Sequence, residues 1–133
     1  MFVRQYKQSD LDALRRMHVR LGFDYAFPDL ANPLFVSKLV VEDDENRVVM
    51  ASLARLTCEI YLLLAPGEGR ARERYDRLLA LHRAGECDLV ARGLHDAHAW
   101  LPPPIAKKFG RRLKALGWVR DDAWTPYCRR LVF

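Results

Sequence analysis

Two strand-like runs, Phe35 to Glu42 and Arg47 to Leu56, limit the architectures open to this chain. Apolar and β-branched residues dominate both runs, and the four residues between them, Asp43-Asp44-Glu45-Asn46, are typical of turns. The pattern predicts an antiparallel hairpin with Asn46 in the turn. A third strand is expected over Cys58 to Leu64, giving three antiparallel strands in sequence until Pro66-Gly67 stops the run.

The N-terminal segment predicts a strand followed by a helix. Phe2 to Tyr6 is a short β-like run, and Ser9 is the expected N-cap of a helix with Asp12 as its capping-box acid. Apolar residues then recur on one face, and Gly22 is expected to end the helix in a left-handed cap. Residues 23–34 have no clean period and are expected to form a loop or a broken helix.

Two further helices are predicted in the second half of the chain. One extends from Arg70 to Ala84 and is expected to end at Gly85; residues 88–94 either extend it or lead into a strand. The other has an apolar stripe at helical spacing and Gly117 as its C-cap residue. The stripe consists of Ile105, Phe109, Leu113 and Leu116.

The remaining segments are interpreted as strands. His95 to Leu101 alternates loosely before three prolines, and Trp118 to Arg120 and Pro126 to Phe133 are expected to form two closing strands. The predicted order is therefore β α (loop) β β β α β α β β, with one helix connecting two neighbouring parallel strands. At 133 residues we expect a single α+β domain over 1–133.

Composition excludes several classes of protein. Half of the residues are apolar, which is too many for a disordered chain, and no run approaches the roughly 20 apolar residues that a membrane span needs. We expect a cytoplasmic protein without a membrane partner. Three cysteines, Cys58, Cys87 and Cys128, suggest neither a disulfide framework nor a CxxC metal site, so all three are expected to be thiols.

The net charge of +5 is concentrated near the C-terminus, where residues 105–133 hold eight basic and two acidic residues. Such a patch fits a solvated face, phosphate contacts to a nucleic acid, or contacts to the 3′-phosphate of a cofactor. Our default is a solvated face, and we do not expect a nucleic-acid partner.

Histidines offer little sign of chemistry. His95 and His98 would point to opposite faces of a strand, so a shared metal ion is not expected and we predict no metal site. His18 and His82 are single histidines on helical faces, and the expected role of each is packing or exposure. Cys58 is interpreted as a strand residue and not as a nucleophile.

Over nearly its whole length the chain resembles the GCN5-related N-acetyltransferase (GNAT) superfamily. The resemblance rests on the hairpin, on the strand–turn–helix from Glu59-Ile60-Tyr61-Leu62-Leu63-Leu64 to Leu78-Leu79, and on Leu116-Gly117-Trp118, which is similar to the family's Leu-Gly-Phe helix end. It implies a central twisted sheet, mixed but mostly antiparallel, flanked by helices. It also implies transfer of an acetyl or other acyl group from acyl-CoA, as co-substrate, to a small-molecule or peptide amine. Strand edges of this fold often pair, which implies a homodimer.

The resemblance also assigns roles in cofactor binding. The main chain of Leu62, Leu63 and Leu64 would pair with pantetheine, and Arg70 and Arg72 would balance the charge of the pyrophosphate at the start of the following helix. The family pattern there is Arg/Gln-x-x-Gly-x-Gly/Ala. With Arg70 in the first position, Glu73 and Tyr75 stand where small residues belong. An alternative register uses Gly67 and Gly69.

Two residues are implied as catalytic. Glu59 would be the general base that takes the proton of the amine, although it is also interpreted as the solvent-facing residue of an alternating strand. The family's frequent proton donor is a tyrosine at the position of Leu113, so Tyr127 or a water is expected to replace it. The alternative function is a non-catalytic binding protein that keeps the fold and has lost usual CoA binding.

Overall fold

The computed structural model describes residues 1–131, and this part of the chain is of the α+β class, as expected. The described residues form five strands and three helices, with a 3-10 turn at Gln8–Asp10 between the first strand and the first helix. In chain order the elements are β1 (Phe2–Gln5), α1 (Leu11–Leu21), β2 (Phe35–Glu42), β3 (Val48–Arg55), β4 (Cys58–Glu59), α2 (Ala71–Ala91), β5 (Ala97–His98) and α3 (Pro103–Ala115).

These residues divide into two compact units, one from Met1 to His98 and one from Ala99 onward. The single domain over 1–133 therefore stays a prediction. Among the described helices, none has both the length and the apolar composition needed to cross a membrane.

The first unit is built on the predicted hairpin, which the structure confirms. Strands β2 and β3 pair antiparallel, and β1 adds to the other edge of β2. Asn46 adopts φ +59° in the turn. One carboxylate oxygen of Asp43 accepts the N–H groups of Glu45 and Arg47, each at 2.9 Å. These bonds hold the pKa of Asp43 below its usual value, and the bond from the Arg47 backbone contributes most to the lowering.

The core of this unit lies between α1 and the sheet. Leu14 from α1, Leu30 from the following loop and Val40 from β2 are buried together. Residues 23–34 form no helix, in agreement with the predicted loop, but Leu30 anchors that loop in the core at 5% exposure.

The predicted start of the first helix is wrong. The residue that organises this turn is Asp10, and not Ser9 with Asp12. Its carboxylate accepts a hydrogen bond from the Lys7 backbone N–H at 2.7 Å. It also accepts one from each of the two terminal guanidinium nitrogens of Arg4, both at 2.8 Å. The chain therefore enters a 3-10 turn at Gln8 before α1 begins at Leu11. The C-terminal end of α1 is as predicted, since Gly22 has φ +68° and its N–H donates a hydrogen bond to the Val19 carbonyl.

The predicted third strand is corrected in length and partner. It ends at Glu59 instead of Leu64, and it pairs in parallel with β5 instead of antiparallel with β3. Strand β5 is in turn shorter than the predicted run from His95 to Leu101. Helix α2 connects these two strands, so the prediction of a helix between neighbouring parallel strands is confirmed.

Helix α2 passes through Gly85, where it was expected to end, and stops at Ala91. The signal that ends the helix is instead at Gly93, which has φ +80°. Its N–H donates a hydrogen bond to the Val90 carbonyl, and the Leu94 N–H donates one to the Leu89 carbonyl. This pair of bonds is a Schellman motif. A glycine inside a helix costs only about 1 kcal/mol, which is too little to end it without such a cap.

In the second unit, α3 and its end are as predicted. Gly117 has φ +92°, and the Trp118 N–H reaches back to the Leu113 carbonyl at 3.0 Å, again as a Schellman motif. The predicted closing strands are absent over residues 118–131, and residues 132–133 of the second one lie outside the described residues. Without a partner strand beside them, these short runs make no ladder.

Candidate functional site

The parallel pair β4–β5 positions the predicted base, Glu59. Cys58 lies opposite Ala97 and Glu59 opposite His98, and the Ile60 N–H donates to the His98 carbonyl at 2.8 Å. The Glu59 side chain is exposed, which fits both the catalytic and the solvent-facing interpretation.

The structure adds a residue that the sequence analysis did not select, Tyr61. Hydrogen bonding to the Glu59 carboxylate, followed by the charge of that carboxylate, raises the pKa of Tyr61 above its usual value of 10. Residues 59 and 61 both fall in the run that the sequence predicts as a strand, and residues two apart lie on one side of a strand. That spacing was the signal that could have found the pair.

Beyond Ile60 the chain leaves the sheet with its main chain open. Among the described residues, no backbone hydrogen bond involves Leu62, Leu63 or Leu64. Their side chains are 38%, 91% and 61% exposed, and that of Tyr61 is 79% exposed. Main-chain polar groups beside exposed apolar side chains can pair with a long molecule that has amide groups and a thin apolar body.

The following loop leads into the N-terminus of α2. Gly67 and Gly69 both have positive φ, +72° and +80°, and Arg70 is the N-cap. The first N–H groups of a helix lack partners within the helix and carry partial positive charge, so this end favours an anion.

The anion that occupies this end belongs to the chain itself. The Glu73 carboxylate accepts the Arg70 N–H at 2.8 Å. A Cβ placed on Gly69 would lie 2.9 Å from the Arg77 guanidinium and 3.0 Å from that same carboxylate. Glu73 and Arg77 therefore cover the loop backbone at Gly69. Tyr75 is half-buried.

The two arginines predicted to balance a pyrophosphate differ in their surroundings. Arg70 is exposed at the helix start. Arg72 pairs with Asp76 one turn further along α2, with 3.3 Å between Nε and Oδ1, and is 84% exposed. An exposed pair of this kind is weak, so Arg72 is free to exchange its partner.

Tyr127, the predicted proton donor, lies in the second unit and is 94% exposed in a segment without regular structure. Its role stays a prediction. The basic side chains of α3 are all exposed, as a solvated face requires; they are Lys107, Lys108, Arg111, Arg112 and Lys114.

Within residues 1–131, no three His, Cys, Asp or Glu side chains lie close enough together to hold a metal ion. All three cysteines carry free thiols, and the Cys58 thiol donates to the Asp96 carbonyl at 3.4 Å. His95 Nδ1 lies 3.4 Å from the side-chain amide of Asn32.

Comparison of this chain with protein-family models, with curated proteins and with solved structures finds no match.

Proposed function

We propose that this chain is a GNAT-fold acyltransferase that transfers an acetyl or other acyl group from acyl-CoA to an amine. The observation that carries the proposal is the β4–α2–β5 crossover, a parallel pair connected by a helix, in a chain that also has the antiparallel order β1–β2–β3. The order of the helices and strands agrees with the resemblance, whereas the described strands form two separate sheets, β1–β2–β3 and β4–β5, in place of the one central sheet that it implies.

The open main chain after β4 supports the same proposal. Leu62 to Leu64 form an exposed apolar segment whose amide groups have no backbone hydrogen-bond partner among the described residues, and pantetheine would pair there. The segment leads directly into the loop with Gly67 and Gly69 and then to the N-terminus of α2, where the pyrophosphate would lie.

The transfer proposed here is direct. The amine nitrogen attacks the thioester carbonyl, a C–N bond forms and the C–S bond breaks, and the CoA thiolate leaves. Glu59, directly or through water, takes the proton that the amine loses. The thiolate receives a proton from water.

A non-catalytic binding protein with the same fold is the second candidate, and Glu73 favours it. A carboxylate bonded to the Arg70 N–H competes with a pyrophosphate for the helix start and repels it. Because Glu73 is exposed, a change of rotamer suffices to release the N–H group. We therefore expect weakened CoA binding and not its loss.

Release of free thiol from acetyl-CoA in the presence of primary amines tests the activity. The proposal requires release that depends on both the amine and the protein, and equal amounts of thiol and N-acetyl product. Saturable binding of acetyl-CoA without any amine-dependent release, across small amines and lysine-containing peptides, would favour the second candidate.

A further inference from the structure

Helix α3 differs in charge from the other long helix of the chain. Over 21 residues, α2 holds four arginines, two glutamates and two aspartates, so its charges balance. Over 13 residues, α3 holds five basic residues and no acidic one. Three of the chain's five lysines lie in α3, so a general excess of arginine does not explain its charge. The five are Lys107, Lys108, Arg111, Arg112 and Lys114.

The cations of α3 have no counter-charge within the described chain. Among the described residues, none of these five side chains forms an ion pair or a hydrogen bond. A solvated helix face usually carries both signs of charge, as α2 does where Arg72 pairs with Asp76. On α3, Lys108 and Arg112 are instead like charges one turn apart, which destabilises a helix. An anionic partner would relieve this repulsion.

The cations lie together on the exposed side of the helix. At about 100° per residue, they fall within an arc of about 160°. Ile105 lies at one border of the arc, in line with Lys108 and Arg112, and is 50% exposed. Trp100, just before the helix, is 58% exposed. The other exposed residues of α3 are prolines and an alanine, so its exposed surface consists of cations and apolar groups alone.

This combination of side chains restricts the chemistry of the partner. At an anionic lipid surface, lysine and arginine reach the headgroup phosphates while apolar side chains enter the boundary of the acyl chains. A nucleic acid would also bind the cations, but proteins contact it in addition through hydroxyl and amide side chains. Helix α3 has no Ser, Thr, Asn or Gln, and the exposed Ile105 would face charged phosphates.

We propose that α3 docks on an anionic lipid surface, lying along it with its five cations at the lipid phosphates and with Ile105 and Trp100 at the boundary of the acyl chains. The sequence analysis expected no membrane partner because no apolar run could span a bilayer, and docking at the surface needs no such run. None of these residues belongs to the proposed acyltransferase site, so the inference does not depend on it.

Vesicles of two compositions test the proposal with the full chain. One is phosphatidylcholine alone, and the other contains about 30% phosphatidylglycerol. Co-sedimentation at about 0.1 M salt measures the affinity for each. We expect the anionic vesicles to bind at least about a hundredfold more tightly, with a loss of affinity as salt is raised.

A matched pair of double variants tests the cations. Lys108→Gln with Arg112→Gln should weaken binding to the anionic vesicles about 25-fold, since each cation near such a surface contributes about fivefold. The control is Arg16→Gln with Arg20→Gln, which removes two exposed charges at the same spacing from α1. It should stay within about twofold of wild type.

A second pair tests the apolar contact. Ile105→Ser should weaken binding to the anionic vesicles about fivefold, because its exposed part no longer enters the acyl boundary. The control Val19→Ser changes an aliphatic side chain of α1 that is 77% exposed, and should have no effect.

No binding of the wild-type chain to the anionic vesicles would overturn the proposal, as would equal binding to both compositions. Equal losses in the two double variants would place the contact outside α3 and would also overturn it. Tighter binding to a DNA duplex of about 20 base pairs than to the vesicles, unchanged by Ile105→Ser, would assign α3 to a nucleic acid instead. The comparison of the two vesicles needs no variant to fold.

Discussion

The Glu73 carboxylate is hydrogen-bonded to the backbone N–H of Arg70, 2.8 Å away, at the start of the helix where the proposed pyrophosphate would lie. The chain thus supplies its own anion to a site that suits one. Under the proposed function, binding of acyl-CoA would require this carboxylate to leave, so we expect Glu73 to weaken the affinity.

Glu73→Gln is therefore expected to raise the affinity for acetyl-CoA by about tenfold, since it removes the negative charge and keeps the size of the side chain. Titration calorimetry measures the change. Glu86→Gln makes the same charge change toward the other end of α2 and is expected to leave the affinity unaltered. Equal affinities in all three proteins would show that the pyrophosphate does not lie at this helix start.

Glu59→Gln is expected to lower turnover by about 10² to 10⁴, the range for loss of a general base, with little change in the Kd of acetyl-CoA. The variant should also bring the pKa of Tyr61 down toward 10, because its bond to the charged carboxylate is what raises that pKa. NMR titration of the Tyr61 ring follows the pKa independently of catalysis. A normal turnover together with a lowered Tyr61 pKa would remove Glu59 from the mechanism.

Asp10→Asn is expected to destabilise the first unit by about 3 kcal/mol at neutral pH, because a neutral amide has only one acceptor oxygen and cannot match both guanidinium nitrogens of Arg4. The Arg4 bond lowers the pKa of Asp10 below its unfolded value, so the stabilisation exists above about pH 4 and is lost as pH falls through the folded pKa. The difference between wild type and variant should therefore shrink in acid.

Denaturant unfolding at a series of pH values measures this difference. Asp12→Asn, on the exposed side of the next turn, is the matched control and should cost less than about 0.5 kcal/mol at every pH. A difference for Asp10→Asn that does not change with pH would contradict the assigned role of its charge.

Asn46→Val is expected to destabilise the hairpin by about 1 to 2 kcal/mol, since a β-branched residue at φ +59° is strained. Asn46→Gly accepts this conformation and should be within about 0.5 kcal/mol of wild type. Thermal unfolding of the two variants checks this predicted order of stability. A valine variant as stable as the glycine variant would mean that the turn adopts another conformation.

The elements that could be predicted from sequence are those whose signals are local. Asn46 and its polar neighbours lie between two strand-forming runs, and Gly117 follows a complete apolar stripe, so in each case one continuous segment contains the whole signal. The prediction that the second helix ends at Gly85 was wrong because a glycine alone does not end a helix. The helix ends where the hydrogen bonds of the C-cap form, at Gly93.

The rest depends on distant partners. The length of β4 is set by its partner β5, since Cys58 pairs with Ala97, 39 residues later in the sequence. Strand β5 is only two residues long, and the residues from Tyr61 to Leu64 contain no local signal of that length. The start of the first helix is set by Arg4 and Asp10 together. At the site, the sequence positions of Glu59 and Glu73 were enough to select them, whereas the effect of Glu59 on the pKa of Tyr61 depends on side-chain geometry.

Calorimetric titration of the wild-type chain with acetyl-CoA, and separately with free CoA, tests the proposed function most directly. We expect saturable binding of both with a Kd in the micromolar range, about 8 kcal/mol, because the open main chain after β4 and the helix start both contribute. No saturation up to millimolar ligand, in the wild type and in Glu73→Gln alike, would contradict the acyltransferase proposal.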